Sequence, residues 1–227
     1  METIAKGMTC GNNGCSLADH RKPDGTAKKN SMISIDMFSD FICPWCLLGA
    51  TELDELKGKY DFRLNHLGIE LFPQVPPEGM KFEDSPMAPH MPGAIAKISK
   101  IRDLGIRCPT ILPNTKNAIL AEAYAVEKGK AHEYAFAMWD AIFRRDINVS
   151  SEKEVGKVLE KIGLDPDKVS EYTRDPKRIK ELEDRESMCR DTGRDDVPNF
   201  IVNSNYSVEG YVSSSKWAEI FDRILGK

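Results

Sequence analysis

Apolar and polar positions alternate, stack and alternate again along the chain. Met32-Ile33-Ser34-Ile35-Asp36-Met37-Phe38 alternates loosely between polar neighbours, which predicts a strand of about seven residues. Leu47, Leu48, Leu53 and Leu56 follow at roughly helical spacing up to Gly58, so a helix comes next. Phe62-Arg63-Leu64-Asn65-His66 alternates once more, and the alternation changes phase before Leu67, Ile69 and Leu71. That predicts a second strand with a bulge or bend near His66, ended by Pro73, Pro76 and Pro77.

The middle of the chain reads as helices. Asn117 to Lys128 is apolar around Ala118, Leu120, Ala121, Tyr124 and Ala125, as in a buried helix. Tyr134, Met138, Ala141 and Ile142 mark another helix, with Phe136, Trp139 and Phe143 as a second apolar stripe. Val155, Val158, Leu159 and Ile162 repeat at helical spacing after Ser150-Ser151, a capping pair. Asp175 to Arg190 is a highly charged, half-exposed helix, and the charge run from Arg174 to Asp196 is a solvated face. The chain closes with a hairpin, Phe200-Ile201-Val202 and Tyr206-Ser207-Val208 around Asn203-Ser204-Asn205. Trp217, Ile220, Phe221, Ile224 and Leu225 then line one face of a last helix. Residues 1–30 hold Gly11-Asn12-Asn13-Gly14 and Arg21-Lys22-Pro23-Asp24-Gly25 but almost no bulky apolar residue, which predicts a flexible N-terminal tail.

Composition narrows the function classes. The chain has 227 residues, 41% apolar and 30% charged, with 32 Lys and Arg interleaved with 36 Asp and Glu. No basic patch emerges, so nucleic acid is not an expected partner. No run approaches the roughly 20 apolar residues of a membrane span, and Met1 to Cys10 lacks the apolar stretch of a signal peptide. The expectation is a soluble, cytoplasmic protein. Six cysteines in that compartment point to catalytic, buried or metal-binding thiols rather than structural disulfides.

Cys43-Pro44-Trp45-Cys46 stands where a strand hands over to a helix. Its two sulfurs are within reach of each other, and Pro44 at the first helical position sacrifices no hydrogen bond. Unpaired N–H groups and the helix dipole there favour negative charge, which marks Cys43 as the nucleophile. Cys46, one turn further in beside Leu47 and Leu48, is suited to resolving a mixed disulfide. No cofactor is expected beyond the Cys43–Cys46 disulfide itself, and no metal. Trp45 is expected to shield the pair and contact substrate.

The stretch Phe38-Ser39-Asp40-Phe41-Ile42-Cys43-Pro44-Trp45-Cys46, with Asp196-Val197-Pro198-Asn199-Phe200-Ile201-Val202-Asn203, resembles DsbA-family thiol-disulfide oxidoreductases, in particular their FrnE-like branch. The likeness extends over about residues 32–225, taking in Ile69-Glu70-Leu71. It implies an α/β fold: a thioredoxin-like core, with β-α-β and β-β-α halves at 31–75 and 194–227, interrupted by an all-helical insertion domain at 76–193. It also implies a cis peptide bond at Val197-Pro198 facing the cysteines. Pro198 at a strand start then leaves the Val197 backbone free to pair with an extended substrate. The implied activity is disulfide exchange with protein or small-molecule thiols, with Pro44, Trp45, Val197 and Pro198 binding substrate and a glutathione- or thioredoxin-type electron partner. The chain departs from the family in carrying Asp195-Asp196 where Gly is commoner, which disfavours acidic substrates, and Leu47 where Tyr commonly follows the second cysteine.

Other residues are weighed beside this pair. Asp36, Asp40 and Glu70 are carboxylates near the two strands, and any one could accept the proton that Cys46 must lose. Cys10 and Cys15 form a candidate auxiliary redox pair, closed across a Gly-rich spacer. Solitary Cys108 and Cys189 read as structural, and dispersed His66, His90 and His132 lack metal-ligand spacing. Two competing functions remain. One is a glutathione-dependent isomerase or transferase of the hydroxychromene carboxylate isomerase or kappa-class type, which typically places Ser where Cys43 stands. The other is a thiolate metal-binding module joining Cys10 and Cys15 to Cys43 and Cys46.

Overall fold

A computed structural model describes residues 32–193 and 196–227, together with the backbone of residues 9–11 and 14–16. Two short strands come first, β1 (Thr9–Gly11) and β2 (Gly14–Ser16), paired antiparallel. The flexible tail expected over 1–30 otherwise lies outside the described residues. There follow β3 (Ile33–Ser39), α1 (Pro44–Asp54), β4 (Phe62–Gly68), β5 (Met80–Lys81), α2 (Met91–Ile101), β6 (Ile111–Leu112), α3 (Lys116–Glu127), α4 (Ala131–Phe143), α5 (Glu152–Lys161), α6 (Val169–Thr173) and α7 (Pro176–Asp191). The chain ends with β7 (Asn199–Val202), β8 (Tyr206–Glu209) and α8 (Ser214–Leu225).

The central sheet runs β4-β3-β7-β8, with β3 parallel to β4 and antiparallel to β7. This is a thioredoxin-like α/β core. The insertion between β4 and β7 is helical apart from the β5–β6 ribbon, whose strands are too short to show as periodicity. α2 was likewise unplaced by the pattern: it buries only Met91 and Ile98.

β3 owes its central place to burial on both faces. Ile33, Ile35 and Met37 are fully buried in the main core. Phe38, on the opposite face, packs with Ile69 and with Cys189 of α7, beside Leu67, Val197 and Ile201. This second apolar face explains a correction. β4 pairs with β3 in unbroken register from Ile33 opposite Phe62 to Ser39 opposite Gly68, so no bulge interrupts it at His66. His66 keeps phase with Phe62 and Leu64 and is itself buried, its ring edge-on to Trp139. The apparent phase change reflects Leu67 and Ile69 covering the other face. The charged helix α7 likewise buries Leu182 and Cys189.

Three contacts fix α1 over the sheet. Gly49 lets it come close, since a Cβ there would sit 3.2 Å from the Phe200 ring and 3.7 Å from Pro198 Cγ. Buried Glu52 accepts the Ser214 backbone N–H at 2.6 Å, tying α1 to the first turn of α8. Its other oxygen accepts Arg102 Nε at 3.3 Å, from the C-terminal cap of α2.

Candidate active site

The Ser39 end of β3 delivers the chain into the N-terminus of α1. Cys43 is the N-cap, extended at φ −93° and ψ 111°, and Pro44 begins the helix. The turn before it closes when Cys43 N donates to the Asp40 carbonyl at 3.1 Å; Cys46 N then donates to the Cys43 carbonyl at 3.1 Å. Both cysteines are thiols here and both are buried, Cys43 to 4% exposure and Cys46 to none. Burial pushes the Cys46 thiol well up, and its hydrogen bond to the Cys43 side chain raises it further, as do the charges of Cys43 and Asp40.

From the far end of the chain, the segment before β7 closes over the pair. The Cys43 thiol donates to the Val197 carbonyl oxygen at 3.6 Å. The Val197–Pro198 peptide bond is cis, and the Pro198 carbonyl accepts the Gly210 N–H at 2.9 Å. Half-buried Trp45 points toward Tyr211, their ring centroids 5.8 Å apart. Tyr211 lies just past β8 and carried no signal in the sequence beyond its being an aromatic residue after a hairpin.

Of the three carboxylates weighed beside the pair, Asp40 is the one turned inward. It is 1% exposed. Its Oδ1 accepts Ile42 N at 3.2 Å and its Oδ2 accepts Leu71 N at 2.8 Å, and the Thr115 hydroxyl also bonds to it. Burial outweighs these donors and raises its pKa to about 6. Asp36 instead accepts Asn65 Nδ2 at 2.7 Å along the sheet. Glu70 is partly buried beside Glu186, and burial, then that charge, lift it to about 7; its backbone N–H donates to Glu186 Oε1 at 2.9 Å.

A profile of the DSBA-like thioredoxin domain matches residues 34–221. The chain belongs to this family. Bacillus subtilis YwbO is 27% identical over 136 residues, 59% of this chain and 68% of that protein. Among solved structures, a probable DsbA oxidoreductase, SCO1869 from Streptomyces coelicolor, superposes with a TM-score of 0.72 at 18% identity, covering 86% of this chain and 91% of that one. The cytosolic disulfide reductase DsbM from Pseudomonas aeruginosa, solved with GSH, gives 0.63 at 12% identity over 86% and 100%. At these identities the superpositions show a shared fold.

In this DSBA-like chain the remaining sequence candidates are scattered. Cys10 and Cys15 stand opposite each other in the β1–β2 register, and their side chains lie outside the described residues. Cys108 is half-buried in the loop before β6, where burial raises its thiol, and Cys189 is buried under the second apolar face. His66 has neither ring nitrogen hydrogen-bonded, and burial lowers its pKa to about 4. His132 contacts Asp54 at 3.1 Å on the outer side of α1 and α4. Among the described residues, no three His, Cys, Asp or Glu side chains converge as a metal would require. No helix among them is long and apolar enough to cross a membrane. Glu122 went unremarked in the sequence because it sits in the apolar stretch of α3. It is 4% exposed, one oxygen lacks a hydrogen-bond partner, and burial raises its pKa to about 7.

Proposed function

We propose that the protein exchanges disulfides with protein or small-molecule thiols through Cys43 and Cys46. The observation that carries this reading is the pairing of a thiol at a helix N-terminus with a second, buried thiol one turn on, under the Val197 carbonyl at 3.6 Å. The Cys43 thiolate attacks one sulfur of a substrate disulfide; the S–S bond breaks and the other sulfur leaves as a thiolate that takes a proton. Cys46 then loses its proton and attacks the Cys43 sulfur, releasing the second substrate thiol. Two enzyme thiols and one substrate disulfide become one enzyme disulfide and two substrate thiols. The same steps run backward when the enzyme oxidises.

Asp40 takes the Cys46 proton. Burial first, then the Cys43 side chain and last the Asp40 charge hold the thiol protonated at rest; when the proton moves, one negative charge is relocated instead of a second being created in a buried site. Trp45 and Pro44 border the nucleophile, and the backbone of Val197 before Pro198 pairs with an extended substrate segment. A glutathione- or thioredoxin-type thiol in the cytoplasm returns the pair to its starting state, and Cys10–Cys15, register partners in β1–β2, serve as an auxiliary pair. Cys43 and Cys46 standing together argue against an isomerase of the Ser type.

Insulin-disulfide reduction by the wild type and by Cys43→Ser tests the reading, with a redox titration of the pair alongside. Loss of turnover is expected in Cys43→Ser, and full activity would overturn it. A potential near −270 mV would indicate a reductant and one nearer −120 mV an oxidant, by the thioredoxin and DsbA scale of about those values.

A further inference from the structure

The chain leaves β4 at Gly68 and gives its next three backbone N–H groups to three different partners. Ile69 N donates to the Ser39 carbonyl at 2.9 Å, Glu70 N to Glu186 Oε1 at 2.9 Å, and Leu71 N to Asp40 Oδ2 at 2.8 Å. Neighbouring N–H groups of an extended chain face opposite sides, so the first and third turn toward the end of β3 and the middle one turns away from the sheet. Among the described residues β4 is an edge strand, so Glu70 N has no strand to pair with. A carboxylate from α7 accepts it instead.

Helix α7 meets this segment twice. Cys189, three residues after Glu186 and so on the same helix face, packs with Ile69 and Phe38. The segment in turn carries the Leu71 N–H to the redox pair. Of the donors to Asp40, the Ile42 and Phe41 N–H groups belong to its own turn and Thr115 is the N-cap of α3. Leu71 arrives from the segment that α7 holds. Hydrogen bonds to a carboxylate favour its ionised form, and Asp40 must be ionised to take the Cys46 proton. The Cys46 thiol of α1 faces Asp40; Lys116 from the first turn of α3 and Glu186 from α7 face Glu70, as does Asp40 itself.

We propose that Glu186 is a positioning residue for the resolving step: by accepting the Glu70 N–H it holds residues 69–71 in place, so that the Leu71 N–H stays on the Asp40 carboxylate. This rests on disulfide exchange at Cys43 and Cys46 with Asp40 as proton acceptor, and it gives the helical insertion a hand in regulating that step.

Stopped-flow mixing of the reduced enzyme with a disulfide-bonded peptide, from pH 5 to 8, reads formation of the mixed disulfide and its resolution as separate phases. In the wild type the resolution phase is expected to inflect near pH 6. Glu186→Ala is expected to move the inflection to about 7, the scale of one hydrogen bond lost by a carboxylate, and so to slow resolution about 5-fold at pH 6 and hardly at all at pH 8. Glu186→Gln keeps an acceptor oxygen and is expected to keep the wild-type inflection. Formation of the mixed disulfide, which takes no proton from Cys46, is expected to be the same in all three. Three results would each overturn the role of Glu186 while exchange at Cys43 stands: an unmoved inflection in Glu186→Ala, an equal move in the Ala and Gln variants, or a slowing of both phases at every pH. The second would assign the effect to charge, the third to a loosened fold. Absence of a mixed disulfide on Cys43 in the wild type overturns both.

Discussion

The Cys43 thiol and the Val197 carbonyl oxygen lie 3.6 Å apart across 154 positions of chain. One ends the turn after β3 and the other precedes β7, and β3 pairs antiparallel with β7 from Ile35 opposite Val202 to Phe38 opposite Asn199. That register brings the two segments to the same end of the sheet, so a long helical insertion separates the halves in sequence without separating them in space. Helix α1 is held in place by Gly49 against Phe200 and by Glu52 against Ser214.

Asp40 gives the first prediction. Its pKa of about 6 is raised from 3.8, and a proton acceptor must be ionised to act. Resolution of a mixed disulfide by Cys46 is therefore expected to accelerate as pH rises through about 6. Asp40→Asn is expected to slow that step roughly 100-fold at pH 7 and to remove the inflection. Single-turnover resolution of a preformed Cys43 mixed disulfide, followed from pH 5 to 8, checks both. An Asn variant with the wild-type profile would exclude Asp40 as the acceptor.

Glu122 makes a prediction about stability. Its folded pKa of about 7 stands above the ordinary carboxyl value of 4.5, chiefly through burial. The folded state therefore binds more protons than the unfolded chain between those values. Its contribution is fully present below about 4.5 and is lost as pH rises through about 7. Glu122→Gln cannot lose a proton, so its advantage over the wild type is expected to grow by up to about 3 kcal/mol between pH 4.5 and pH 8. Urea unfolding of both proteins at the two pH values measures the change. A constant difference would contradict the assignment.

Gly68 allows a steric test. A Cβ at this position would lie 2.6 Å from Ile119 Cγ2, inside a packed interface between β4 and α3. Gly68→Ala is expected to cost about 1–3 kcal/mol by overpacking. It is also expected to slow disulfide exchange, because Leu71, three residues on, holds the Asp40 carboxylate. Urea midpoints and insulin reduction read the two effects. Wild-type stability in this variant would mean that α3 yields at no cost.

The two halves of the core were legible in the sequence because each carries its own period, with β3, α1 and β4 at one end and β7, β8 and α8 at the other. The closeness of Cys43 and Cys46 at the start of α1 was legible because spacing and a strand-to-helix boundary are local properties. His66 misled because a polar residue occupies a core phase, and Leu67 and Ile69 cover a second buried face that a one-sided strand would lack. Asp40 could not be singled out from Asp36 and Glu70: what distinguishes it is the Leu71 N–H, from the segment after β4, and Thr115, the N-cap of α3, closing over it. Tyr211 and Glu52 owe their places to contacts across the fold, with Trp45 and Ser214. No window of sequence holds both partners.

Trapping the covalent intermediate tests the central claim most directly. Cys46→Ser, incubated reduced with a disulfide-bonded peptide and mapped by mass spectrometry, is expected to hold one peptide as a mixed disulfide on Cys43. Absence of an adduct, or an adduct on Cys108 or Cys189 with Cys43 unmodified, would contradict disulfide exchange at this site.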